Sequence, residues 1–168
     1  MQNNNQVFLL LGSNVEPREA TIDMAKSLIT KRLGEIMKQS SLYESEPWGF
    51  EADTNFLNQV VVINTFLSAF EILDLVKEIE KELGRTHKTT NVYTSRTIDI
   101  DLLYCGNEII VSDELTIPHF NLHERRFTLI PLVEIASDFV HPAFQENQQF
   151  LLDHCKDAGK VWLYQKQT

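Results

Sequence analysis

The sequence predicts an α+β fold in which an antiparallel sheet carries two helices on one face. Three observations predict it. Two segments repeat apolar residues at the helical period, and the runs around them are short and apolar or alternating, as strands are. The two kinds follow one another as strand, helix, strand, strand, helix, strand, with additions at the C-terminal end. That βαββαβ order fits a ferredoxin-like sandwich.

The run VFLLL at 7–11 reads as a buried strand, punctuated by Gly12-Ser13-Asn14. Pro17 suits the first turn of a helix whose stripe is Ile22, Ala25, Leu28, Ile29 and Leu33, stopped by Gly34. KQSSLYESEP, 38–47, predicts a second strand ending at Pro47-Trp48-Gly49, and FLNQVVVINTFL, 56–67, a third. Ser68 with Glu71 is a capping box, followed by the stripe Ile72, Leu75, Val76, Ile79 and Leu83 and then by Gly84. A loop, 85–97, leads into the fourth core strand, IDIDLLY. GNE at 106–108 predicts a hairpin-like turn into IIV. Pro131 predicts the start of a short helix within 119–137, because proline is tolerated in a first turn and not inside. The last twenty or so residues predict a small helix and a closing strand, VWLYQ.

A chain of 168 residues suits one domain with a real core. A net charge of −9 speaks against nucleic acid and against anionic membrane as partners, since both require a positive field. Cys105 and Cys155 stand far apart and read as free thiols in a reducing compartment. The N-terminal apolar run is too short for a leader or a membrane span, so a cytoplasmic protein is expected.

The chemistry starts at Asp99 and Asp101, which fill the gaps between Ile98, Ile100 and Leu102. Strand residues two apart share a face, with backbones roughly 6.5–7 Å apart. Two carboxylates so placed suit hard cations, magnesium better than zinc, and can hold two ions about 3.5–4 Å apart. Taken alone, the pair is equally compatible with a wet face on an amphipathic strand. The loop before it shifts the balance: 85–97 carries Arg85, His87, Lys88 and Arg96 and no acid, which suits a polyphosphate. PHFNLHERRF, 118–127, adds His119, His123, Arg125 and Arg126. Phe56 and Asn58 share a strand face, and an aromatic plane beside a carboxamide suits a flat heterocycle. No P-loop or dinucleotide glycine motif is present. The residues by themselves reach a magnesium–polyphosphate site beside a pocket for a flat ligand. They leave open a regulatory module that binds a small ligand, and a nucleotidyl or glycosyl transferase.

Gly12-Ser13-Asn14, FLNQVV at 56–61, SRTIDIDLL at 95–103 and IPHFNLHERRFTLIPLVEIA at 117–136 together resemble the 6-hydroxymethyl-7,8-dihydropterin pyrophosphokinases of folate biosynthesis. The resemblance runs to about residue 142, and 143–168 is an extension without an assigned role. It implies one pyrophosphokinase domain over 1–168. It also implies transfer of the pyrophosphoryl group of ATP to 6-hydroxymethyl-7,8-dihydropterin, with release of AMP. Two magnesium ions would sit on Asp99 and Asp101, and Arg85 and Arg96 would neutralise charge during transfer. ATP would meet Leu73, Lys77, Glu80, His87, Lys88, Tyr93, Leu102, Thr116, His119, Phe120 and Arg125. The pterin would lie between Phe56 and Phe127, with Asn58 on its edge and Ser45, Glu46 and Trp48 reading the rest. A monomer is expected. The chain departs from the common pattern at Tyr93-Thr94-Ser95, where W-G-P is usual, and at His87, where arginine is frequent. Phe56 and Phe120 stand where tyrosine is common.

Overall fold

The computed structural model describes residues 4–84 and 97–166. In chain order the elements are β1 (Asn5–Ser13), α1 (Arg18–Arg32), β2 (Glu35–Gln39), β3 (Tyr43–Ser45), β4 (Phe56–Thr65) and α2 (Ala69–Glu82). There follow β5 (Asp99–Cys105), β6 (Ile110–Val111), β7 (Thr116–Ile117), α3 (Arg126–Ala136), α4 (Gln148–Asp153) and β8 (Val161–Leu163). The main sheet runs β5-β1-β4-β3-β8, with β2 also paired to β4, and its pairings are antiparallel.

The apolar runs of β1 and β4 are continuous because both faces of the sheet are covered. On one face Val7, Leu9, Leu11, Val61, Ile63 and Ile100 pack on Ile22, Ala25 and Ile29 of α1 and Ile72, Val76 and Ile79 of α2. On the other, Phe8, Leu10, Val60, Val62 and Tyr104 pack on Leu129 and Leu132 of α3 and Leu151 of α4. The expected one-sided sandwich is therefore corrected to three layers. The third layer stops short of Gly12, Asn58, Asp99 and Asp101, and a cleft opens there.

Local signals explain most element ends. The Ser68 hydroxyl accepts the Glu71 N–H at 3.2 Å and the Glu71 carboxylate accepts the Ser68 N–H at 2.7 Å, as the capping box requires. Gly84 closes α2 with a φ of +103°, a left-handed conformation that glycine adopts without strain. Gly34 answers to space: a Cβ there would lie 2.2 Å from the carbonyl oxygen of Asn64.

Three expectations are corrected. The strand expected over 38–47 is broken into β2 and β3, because the Ser40 hydroxyl accepts the Val60 N–H at 3.0 Å in place of a regular ladder. The helix expected to begin at Pro131 begins at Arg126, with the proline inside it. Proline gives up the bond to the Phe127 carbonyl there, and burial of Leu129 and Leu132 on the sheet holds the helix through it. The turn at 106–108 forms, with the Gly106 N–H bonded to the Gln6 carbonyl at 2.8 Å. The strand after it pairs with β7 in a separate two-stranded sheet rather than returning along β5.

The tail forms the expected helix and strand, with β8 pairing on β3. Cys105 and Cys155 are free. Among the described residues no helix is long and apolar enough to cross a membrane.

Candidate active site

β5 builds the centre of the site by alternation. Asp99 lies opposite Gly12 and Asp101 opposite Leu10, while Ile100 points into the helix-covered core. A bulge follows: Leu9 pairs with Leu102 and Phe8 with Tyr104, so Leu103 is the extra residue. The edge position of β5 leaves the Ile100 N–H without a ladder partner, and the buried carboxylate of Glu80 accepts it at 3.0 Å. The Ser13 hydroxyl donates to the Thr97 carbonyl and ties the entry of β5 to β1.

Asp101 faces two basic side chains. Its Oδ2 lies 3.6 Å from Arg125 Nη1 and 4.0 Å from His119 Nε2. The Arg125 guanidinium is stacked 4.5 Å from the Trp48 ring centre and 5.5 Å from that of Phe127. Sandwiching of that kind holds a planar cation in one orientation. Burial pushes the His119 imidazole down to about 4, with the Arg125 charge acting the same way and Asp99 opposing both. His119 is thus neutral at pH 7. Its Nδ1 accepts the Asn121 N–H at 3.3 Å, which leaves the proton on Nε2, the nitrogen that faces Asp101.

The cleft is partly open to solvent. Leu10 and Gly12 form its floor, and a side chain at position 12 would stand 3.6 Å from Asn58 Oδ1, at ordinary contact distance. The rest of the lining comes from two stretches of chain, its two walls. Ser45, Glu46, Trp48, Phe56 and Asn58 come from β3, β4 and the loop between them, and Asp99, Asp101, Arg125 and Phe127 from β5 and the start of α3. The two meet where Arg125 lies over the Trp48 ring. Asn58 Nδ2 donates to the Ser45 hydroxyl at 2.8 Å and to the Tyr43 carbonyl at 3.2 Å. Both donors are thereby taken within the wall, and Oδ1 is left as the acceptor on the Gly12 side.

All six pterin-class residues read from the sequence thus meet in one cleft with both aspartates and Arg125. Phe50 also lines it, in edge contact with Phe56 at 5.9 Å, and sequence reasoning missed it. Its nearness to Trp48 and to Gly49 (φ +83°), which turns the loop, was the available signal. Residues expected at ATP divide. His119 adjoins Asp101, and Phe120 is exposed and stacked on His119 at 5.0 Å. Leu73 and Leu102 belong to the helix-side core, Lys77 is exposed, Glu80 is buried, and Thr116 pairs with Val111 on β7. These five lie outside the cleft. Arg85, His87, Lys88, Tyr93 and Arg96 lie outside the described residues.

Among the described residues no three His, Cys, Asp or Glu side chains gather as a metal cage. Two carboxylates on one strand face suit magnesium, which keeps several waters and takes one or two carboxylates plus substrate phosphates.

Residues 8–137 match the family model of 7,8-dihydro-6-hydroxymethylpterin-pyrophosphokinase, HPPK. The chain belongs to the HPPK family. A 2-amino-4-hydroxy-6-hydroxymethyldihydropteridine pyrophosphokinase of Bacillus subtilis is 41% identical over 134 residues, 79% of this chain and 79% of that one. The protein of the same name from Haemophilus influenzae is 39% identical over 139 residues, 82% of this chain and 86% of its own. In structure the chain is similar to a Plasmodium falciparum HPPK-DHPS, with a TM-score of 0.76 at 17% identity over 90% of this chain. It spans 45% of that longer chain, and the likeness speaks for the fold alone. The HPPK resemblance read from the motifs is borne out.

Proposed function

We propose that this HPPK-family chain transfers the pyrophosphoryl group of ATP to the hydroxymethyl oxygen of 6-hydroxymethyl-7,8-dihydropterin, releasing AMP, in folate biosynthesis. One observation carries the reading: Phe56, Asn58 and Phe127 line the same cleft as Asp99, Asp101 and Arg125. A planar heterocycle and a charged polyphosphate would meet there.

The pterin stacks between Phe56 and Phe127, and Asn58 Oδ1 accepts a hydrogen bond from its edge. Backbone groups around Ser45, Glu46 and Trp48 read the remaining polar atoms. Asp99 and Asp101 would hold two magnesium ions, which would supply charge neutralisation for the triphosphate. Arg125, fixed by Trp48, and neutral His119, with its proton on Nε2, donate to phosphate oxygens. Leu73, Lys77, Glu80, Leu102, Thr116 and Phe120 remain the residues assigned to the nucleotide, with His87, Lys88 and Tyr93. Arg85 and Arg96 remain the charge-neutralising arginines. Asp99 lies near enough to the slot to take the proton of the attacking hydroxyl as a weak base. Phosphoryl-type transfer needs positioning and charge compensation more than covalent help, and this site offers those two things.

The strand order β5-β1-β4 with β2 and β3 beyond it supports a ferredoxin-like core. We read the 168 residues as a single cytoplasmic domain acting as a monomer. The test is to supply the purified protein with magnesium, ATP and 6-hydroxymethyl-7,8-dihydropterin and identify the nucleotide formed. Pterin-dependent AMP is expected. ADP, or AMP formed equally without pterin, would overturn the reading.

A further inference from the structure

The family match ends at residue 137, yet the segment after α4 touches both walls of the cleft. Asp157 Oδ2 accepts the N–H of Arg126 at 3.0 Å, the residue between Arg125 and Phe127. Its Oδ1 accepts the Gly159 N–H at 2.9 Å, which fixes the carboxylate. Three residues after Asp157, the Lys160 N–H donates to Glu46 Oε1 at 3.1 Å, and its carbonyl accepts the Glu46 N–H at 3.3 Å. β8 continues that pairing along β3, with Val161 opposite Ser45 and Trp162 opposite Glu44. Trp162 Nε1 donates to Glu44 Oε1 at 3.1 Å. Arg18 then carries the link onward, from Glu44 Oε2 at 2.6 Å to the Asn55 carbonyl at 3.0 Å, next to Phe56.

We propose that residues 157–163 form a strap that sets the spacing between the two aromatic walls of the cleft, with Asp157 and Lys160 as positioning residues for the pterin. The proposal rests on the pterin reading of the cleft. Its logic is geometric. Glu46 and Phe127 belong to segments some eighty residues apart in sequence, and the four residues from Asp157 to Lys160 meet the backbone N–H of Arg126 at one and of Glu46 at the other. The anchoring on the Arg126 amide depends on the Asp157 side chain, so it can be removed by one substitution. A cap contact of this type is worth roughly tenfold in an equilibrium.

Steady-state kinetics on the full chain tests it. Asp157→Ala is expected to raise KM for the pterin about tenfold on that scale, with KM for ATP within about twofold, and Asp157→Asn, which keeps an acceptor, to restore most of it. Asn147→Ala serves as the comparison: Asn147 Oδ1 caps α4 by accepting the Phe150 N–H at 2.8 Å and touches neither wall. It should lower the melting temperature without moving the pterin KM. Equal rises in both KM values for Asp157→Ala, or a matching pterin rise for Asn147→Ala, would overturn the strap. Phe127→Ala separates the two levels. If it leaves pterin KM unchanged the cleft reading fails, and if it raises KM while Asp157→Ala does not, the strap alone fails. Should Asp157→Ala not fold, Lys160→Pro, which deletes the N–H given to Glu46, carries the same comparison from the other wall.

Discussion

The Asp101 carboxylate and the Arg125 guanidinium meet at 3.6 Å, joining the middle of β5 to the residue that precedes α3. On the proposed function, the pair sets a carboxylate assigned to metal beside a cation assigned to phosphate. Replacing Asp101 by Ala is expected to lower kcat about 10²–10³-fold, the scale of losing one preorganised electrostatic contact. The circular dichroism spectrum should be unchanged. Retained turnover would remove Asp101 from the site's chemistry.

Phe127 stands against Arg125 and lines the same cleft as Phe56. Phe127→Ala is expected to weaken pterin binding by about 1–3 kcal/mol, the scale of an aromatic stack. ATP binding should change much less. Equilibrium titration with each ligand separately decides it, and equal losses would count against a pterin slot.

Buried His141 and half-buried His119 predict how stability follows pH. Burial pushes both His119 and His141 down to about 4, well below the ordinary 6.5. Between pH 4 and 6.5 the unfolded chain therefore binds more protons than the folded one, and stability rises with pH across that window. Above pH 7 both forms are neutral and this contribution levels off. For His141 burial is the larger cause and the neighbouring His123 acts the same way, while its Nδ1 accepts the N–H groups of Ala143 and Phe144 at 3.2 and 3.1 Å. Protonation would end both bonds. Melting temperatures taken from pH 5 to 8 should climb and then flatten, and His141→Asn should reduce the climb. A flat profile in the parent protein would contradict the assignment.

Glu80 predicts a split between charge and shape. Its carboxylate accepts the Ile100 N–H between the two aspartates. Glu80→Ala leaves that amide unmet and should cost about 1–3 kcal/mol. Glu80→Gln keeps an acceptor oxygen and should retain most of the stability. Urea denaturation measures both, and equal losses would assign the effect to the charge rather than to the bond.

The parts of this fold legible in the sequence are those settled within one turn or one strand. Ser68 and Glu71 cap each other three residues apart, and Asp99 and Asp101 share a face two apart. The start of α3 was misread at Pro131 because one of its first-turn amides, that of Arg126, is met by Asp157, thirty-one residues later. No local signal encodes that partner. The split of β2 from β3 likewise depends on Ser40 reaching Val60 across the sheet. The third layer was foreshadowed by the unbroken apolar runs of β1 and β4, which a one-sided sheet does not need. Phe50 escaped because a loop aromatic reads as core until its edge contact with Phe56 is seen.

The bulge at Leu103 lets one short strand answer to two masters. From Asp99 to Asp101 its phase is set by the cleft, and from Tyr104 onward by packing against Phe8. The single extra residue is the phase-shifter between them. Deleting it would swing either the carboxylates toward the helices or Tyr104 out of its aromatic cluster. A change of length within β5 would therefore disturb both of its faces together, whereas a single side-chain substitution leaves the register in place.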